Sequence, residues 1–332
     1  MNEIPPYDIE KIHFINYNDE TRNIILSNFK EYTKLKEFYC YGCDLNELPD
    51  LPNSLKYLDC SNNKLTKLPD LPNLLTHLFC QYNNLRELPH LPTSLISLEC
   101  SRNYLKKLYN LNLLNSLKFL ACNSNHLIEL PKLPNSLIIL YCEYNNLIKL
   151  PDLPNLLEYL GCHYNKLIKL PEFPNSLTRI MCYNNNLTKL PDLPNSLIEL
   201  NCKFNNLIKL PDLPNLLEYL GCHYNNLVYL PEFPNSLTRL MCYNNNLTEL
   251  PDLPNSLIEL NCKFNNLTYH NLEIKTINKT NLKNKIIKRM QLLDRTLLLE
   301  HSAMITMNPK RIERLLDNLE IDFFDGSFDT LT

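Results

Sequence analysis

Leu237-Thr238-Arg239-Leu240-Met241-Cys242-Tyr243-Asn244-Asn245-Asn246-Leu247-Thr248-Glu249-Leu250-Pro251-Asp252-Leu253-Pro254-Asn255-Ser256 is one full unit of a pattern that runs along most of the 332-residue chain. Its skeleton is L-x-x-L-x-C-x-x-N-x-L-x-x-L-P-x-L-P-N-S. A fixed period of this length is the mark of a stacked array, in which each unit buries its apolar face only against its neighbours. The first copy begins at Leu35. The repeat cysteines fall at Cys40, Cys60, Cys80, Cys100, Cys122, Cys142, Cys162, Cys182, Cys202, Cys222, Cys242 and Cys262, twelve units in all. The step is 20 residues except for one of 22 between Cys100 and Cys122. There Tyr109-Asn110-Leu111-Asn112-Leu113-Leu114 lacks both repeat prolines, and a local bulge on the outer surface is expected.

Each position of the unit has a physical reading. Alternation in Tyr159-Leu160-Gly161-Cys162 points Leu and Cys inward and their neighbours outward, as in a short strand. Such a strand is too short to stand alone, so copies at ~4.8 Å spacing should build a parallel sheet. The Asn three residues after each Cys (Asn165, Asn185, Asn205, Asn225, Asn245) should turn inward and satisfy backbone groups of adjacent units. Cys43 takes that place in the first copy. The return run L-P-D-L-P-N-S excludes a helix or a central strand and favours extended polyproline-II backbone, with its leucines toward the core.

The skeleton resembles the leucine-rich-repeat signature, with Cys where an aliphatic residue usually stands. The short L-P-x-L-P version is similar to the repeat domains of secreted bacterial effectors and to repeat proteins of giant DNA viruses. The resemblance covers Leu35 to about Leu267. It implies a leucine-rich-repeat solenoid of the α/β horseshoe type, with the parallel sheet on a concave face and an extended convex face. Function does not follow from the fold. Some of those effectors add a large ubiquitin-ligase domain with a catalytic Cys; residues 271–332 contain no Cys and are too few for one.

Composition narrows the chemistry further. Only 4 glycines leave no phosphate-cradling loop, and a net charge of -3 gives no broad attraction to nucleic acid or anionic membrane. Residues 1–14 carry acids and no apolar run, so no export signal is read there, and no apolar stretch is long enough to span a bilayer. A monomer in a reducing cytosol (host cytosol, if the chain is viral) is the expectation. The cysteine ladder occupies core positions and is expected to be inert rather than metal-binding or redox-active. His163 and His223 lie three units apart, ~14 Å, too far to share an ion. The Asn186-Leu187-Thr188 sequon carries no meaning without export. No cofactor, metal or catalytic centre is expected.

Residues 157–207 recur at 217–267 with five differences, at positions 166, 168, 169, 180 and 189 of the first copy. Duplicated surface suits binding better than a single catalytic centre. The outward positions hold Tyr82, Tyr144, Tyr159, Tyr164, Tyr183, Phe204, Tyr219, Tyr224, Tyr243 and Phe264, with Arg179 and Arg239 and further charges Glu99, Glu143, Glu199, Lys203, Glu259 and Lys263 among them. Aromatic residues and Arg are enriched where interfaces carry their energy, so a protein or peptide partner on this face is expected. The competing reading is a structural or decoy array without one specific ligand, since aromatic residues also favour strands for packing reasons alone.

The ends differ from the array. Residues 1–34 should form a helical cap, with Asn18 before Asp19-Glu20 as the helix start. Residues 35–270 are the repeats. Residues 271–332 carry Leu282, Ile286, Met290, Leu293, Leu297 and Leu298 at helical spacing, then Asn308-Pro309 as a second helix start. A C-terminal helical cap is expected, or else a second docking helix.

Overall fold

A computed structural model describes residues 4–267. The expected helices of residues 271–332 lie outside the described residues. Among the described residues the chain forms one parallel sheet of 13 strands in strictly sequential order. Strands β2 (Glu37–Tyr39), β3 (Tyr57–Asp59), β4 (His77–Phe79), β5 (Ser97–Glu99), β6 (Phe119–Ala121) and β7 (Ile139–Tyr141) come from the first six repeats. Strands β8 (Tyr159–Gly161), β9 (Arg179–Met181), β10 (Glu199–Asn201), β11 (Tyr219–Gly221), β12 (Arg239–Met241) and β13 (Glu259–Asn261) come from the rest. Every strand has only three residues, so none could persist without its neighbours.

The inward set is the one the period names. In a central repeat Leu197, Leu200, Cys202 and Leu207 are fully buried, Leu210 nearly so, and Leu213 packs half-buried against them. The register holds equivalent residues side by side, as Leu200 beside Ile180 and Leu220. The return run forms neither helix nor strand. Its Pro-Asn-Ser-Leu end closes a turn in which the Leu amide donates to the Pro carbonyl, as Leu197 N to Pro194 O at 3.1 Å. The Ser hydroxyl donates to a Leu carbonyl of the preceding repeat, as Ser196 Oγ to Leu177 O at 2.6 Å. The solenoid thus ties its outer side by side-chain bonds as well as by packing.

The Asn ladder is continuous from Asn63 to Asn265. Asn185 Nδ2 donates to the carbonyls of Cys162 (3.0 Å), Cys182 (3.1 Å) and Tyr183 (3.2 Å), while its Oδ1 accepts from Leu167 N at 2.9 Å. One amide therefore serves two repeats and leaves none of its own groups unpaired. At the start, Cys43 lacks such an amide, and its backbone N–H is taken instead by Asn63 Oδ1 at 3.1 Å.

At the 22-residue step the extra residues form a short 3-10 turn, Leu111–Leu113, entered through Asn110 in the left-handed region (φ 56°). Tyr109 and Leu113 stand exposed there, as the missing prolines led one to expect. At the N-terminus, helix α1 (Asp19–Ser27) begins at Asn18, whose Oδ1 accepts from Thr21 N at 2.8 Å. Phe14 and Phe29 pack on Phe38 of the first repeat with centroids 4.9 and 4.7 Å apart. The sequence reading missed one element: β1 (Lys11–His13) pairs parallel with β2 and extends the sheet beyond the repeats.

Candidate interaction surface

Three rows of side chains and one turn row make up the face of the sheet turned away from the core. Register defines the first two. One row runs Ser97, Phe119, Ile139, Tyr159, Arg179, Glu199, Tyr219, Arg239, Glu259. The other runs Glu99, Ala121, Tyr141, Gly161, Met181, Asn201, Gly221, Met241, Asn261. The third row follows each repeat Cys and includes Glu143, His163, Tyr183, Lys203, His223 and Tyr243.

The expected partner residues divide between these rows and the turn beyond them. Tyr159, Arg179, Tyr219 and Arg239 are strand residues, and Tyr183 and Tyr243 follow the strands directly. Tyr82, Tyr144, Tyr164, Phe204, Tyr224 and Phe264 are not on strands at all, which corrects their expected placement. They lie two residues past the Cys, in the turn that sends Asn inward. All six have left-handed backbone, φ between 50° and 56°. That turn is locked by the neighbouring repeat, as where Tyr164 N donates to Tyr183 O at 3.0 Å. Asn62, Asn184, Asn244 and Gly42 hold the same place with φ of 53°, 53°, 51° and 63°, and so do Arg102 and Ser124 with φ of 52° and 53°. Asn and Gly accept this conformation readily, whereas a bulky aromatic residue is strained in it. Gly42 and three Asn at a register otherwise held mainly by aromatic residues, with Arg102 and Ser124, were the signal in the sequence.

The face is also more closed than expected. Tyr183 is buried, 6% exposed, and so are Met181, Lys203 and His223. Its ring lies between His163 (stacked, 4.2 Å) and the Lys203 ammonium, 4.8 Å from the ring centroid. Stacked pairs also join Tyr144 to Tyr164 at 4.4 Å and Phe204 to Tyr224 at 4.3 Å. The Arg239 guanidinium lies 4.9 Å over Tyr219, and Arg179 approaches Glu199 at 3.8 Å. Exposure concentrates in the turn row, at Tyr82, Tyr144, Tyr224 and Phe264.

Electrostatically the first half of the face is acidic. Burial, with Asp59 nearby, raises the Glu99 carboxyl to about 7, and burial alone raises Glu143 to about 8. Burial, assisted by Lys203, lowers His163 to about 3, so its ring is neutral. From Cys40 to Cys242 the cysteine ladder is buried, and desolvation pushes its thiols far up, Cys182 to about 12. Only Cys43 and Cys262 of the thirteen are partly exposed. Among the described residues no group of three or more His, Cys, Asp or Glu could hold a metal ion, and no helix is long and apolar enough to cross a membrane.

No family model matches the chain, and no curated protein sequence matches it. Solved structures do. YopM from Yersinia enterocolitica aligns at 37% identity and a TM-score of 0.67, over 72% of this chain and 57% of that one. The match therefore spans little more than half of that protein's length. YopM from Yersinia pestis, described as a leucine-rich effector protein, aligns at 33% identity and a TM-score of 0.59, over 71% of this chain and 79% of that one. The functional domain of InlJ from Listeria monocytogenes, which includes a cysteine ladder, aligns at 28% identity and a TM-score of 0.58, over 72% of this chain and 50% of that one. Period, parallel sheet, Asn ladder and these likenesses agree: the chain belongs to the leucine-rich-repeat family.

Proposed function

We propose that the protein is a non-enzymatic interaction scaffold, a monomer whose concave sheet face and adjoining turn row bind a protein or peptide partner. One observation carries the reading. Six aromatic residues are kept in a left-handed backbone that the same turn elsewhere fills with Gly, Asn, Ser or Arg. Four of them are more than 40% exposed, so core packing does not account for them. Strain retained where the fold has an easier solution is a mark of function, and exposed rings are the residues that anchor interfaces. The solved relatives support an interaction domain rather than a catalyst. A cytosolic location belongs to the same proposal.

The test is affinity capture from a eukaryotic cell extract with wild type and with Tyr164, Phe204, Tyr224 and Phe264 all replaced by Asn, the residue that already serves at 184 and 244. Capture should be lost while circular dichroism and melting stay unchanged. Capture that persists with the folded variant overturns the placement of the site and favours an array without one specific ligand.

A further inference from the structure

The chemistry of the partner can be read from the other half of the face, between β4 and β8. On β5, Ser97 and Glu99 point to the same side. Register sets Ala121 beside Glu99, then Tyr141, then Gly161. Two short side chains therefore alternate with longer ones and leave low ground between them. The Glu143 carboxyl lies over the second gap: a Cβ at Gly161 would come 3.1 Å from Glu143 Oε2 and 3.1 Å from a Tyr159 ring carbon, with Tyr141 at 3.4 Å.

The polar atoms of this ground lack donors. Glu143 Oε2 is buried without a hydrogen-bond partner, and the residue is 92% buried by its 8% exposure. Gln81 Oε1 and the hydroxyl of Ser97, which is 0% exposed, are likewise unpartnered. Gln81 Oε1 can only accept, and Glu143 Oε2 can only accept once its carboxyl is ionised, so a donor satisfies both. Among the described residues none of these atoms receives one. Asn123, the neighbour of Glu143 on the preceding repeat, takes the Ser101 hydroxyl. The facing groups are Tyr159 on β8 and, just past its end, the neutral His163. Asp59 acts on Glu99 and only raises it, and Arg179, whose charge reaches Tyr141, lies against Glu199. Among the described residues neither Glu99 nor Glu143 forms an ion pair.

We propose that this ground receives basic side chains of a peptide partner, with the Glu143 and Glu99 carboxylates as acceptors and the Tyr141 and Tyr159 rings as walls. The inference rests on the reading of this face as the binding surface and adds the partner's charge. A guanidinium or ammonium supplies the missing donors, pairs with a desolvated carboxylate and can lie on an aromatic ring. Glu99 stands on β5 and the Glu143 carboxyl lies over Gly161 of β8, three strands or ~14 Å away. Four residues of an extended peptide span that distance at ~3.3 Å each, so arginines three to four residues apart can reach both. Binding is coupled to proton release, because burial raises Glu143 to about 8 and Glu99 to about 7, so that the empty site holds a proton on Glu143 and part of one on Glu99 at neutral pH, and both must ionise to take a cation.

The probe is a fluorescein-labelled Arg-Ala-Ala-Arg-Ala-Ala-Arg peptide, titrated with the full chain at pH 6 to 9, against an acidic twin with Glu in place of Arg. The basic peptide should bind, and each linked proton should tighten binding by up to tenfold per pH unit, levelling near pH 8. Glu143→Gln and Glu99→Gln should each weaken binding at pH 8.5 at least tenfold and flatten the profile, with melting as the check on folding. Gly161→Ala, a second variant, should displace the carboxyl outward and move the pH midpoint down. Equal binding of the acidic twin, or unchanged affinity and pH profile in folded Glu143→Gln, overturns the proposal. If capture depends on the aromatic turn row while this peptide does not bind, the charge assignment fails alone and the scaffold reading stands.

Discussion

Glu143 and Gly161 fit one another across two strands: the carboxyl of one repeat lies where the next repeat has no side chain. The arrangement recurs at Asn201 and Gly221, where a Cβ on the glycine would come 3.1 Å from Asn201 Oδ1. In both places a polar group of the face is buried because a residue of the next repeat, eighteen on from Glu143 and twenty on from Asn201, is glycine. The outcome is costly for Glu143, a carboxyl in apolar surroundings without a donor.

That cost should show in stability against pH. An unfolded Glu ionises near 4.5, whereas the folded Glu143 keeps its proton up to about 8. Between those values the folded state binds the extra proton, so this group's contribution falls as pH rises, by about 1.4 kcal/mol per unit at most, and is fully lost above pH 8. Thermal melting from pH 5 to 8.5 should decline accordingly, and Glu143→Gln should remove most of that decline. A decline of the same slope in the variant would mean that other groups cause it.

The Asn ladder should be among the least replaceable features. Asn185→Ala strands the carbonyls of Cys162 and Cys182 and the N–H of Leu167. Buried groups left unpaired put the loss at about 2–4 kcal/mol in urea unfolding. A loss below about 1 kcal/mol would show that water replaces the amide.

Thiol reactivity should separate the cysteines by depth. Cys43 and Cys262, the half-buried pair, should react with a maleimide in the native state, and the remaining eleven of the thirteen only after denaturation. Cys182→Ser should destabilise by about 1–3 kcal/mol, since a hydroxyl is buried in apolar surroundings. Rapid native labelling of Cys182, counted by mass spectrometry, would contradict the closed core.

Strain in the turn row predicts an unusual sign. Tyr82→Asn exchanges an exposed ring at φ 56° for a residue that accepts this backbone. The ring's contact with Arg102, at 5.0 Å, is exposed and returns little. The melting temperature should hold or rise slightly. A clear fall would show that the ring stabilises the turn.

Much of this molecule is determined by sequence alone. The 20-residue step fixes a solenoid, the spacing of Leu, Cys and Asn within it fixes what faces inward, and Asn18 fixes where α1 begins. These are local properties: side-chain alternation, amide capping and proline's missing donor act within a few residues. The outward face was legible only as composition. Whether Tyr183 is open or closed depends on His163 and Lys203, one repeat away on either side. Glu143 lost its water because residue 161 is glycine, and Tyr224 took a left-handed backbone because every repeat must turn its Asn inward at the same place. Strand β1 was invisible because three residues carry no periodicity; only an edge waiting at β2 makes them a strand. Those outcomes belong to the tertiary structure, since each is set by contact between residues that the chain brings together only when the repeats stack.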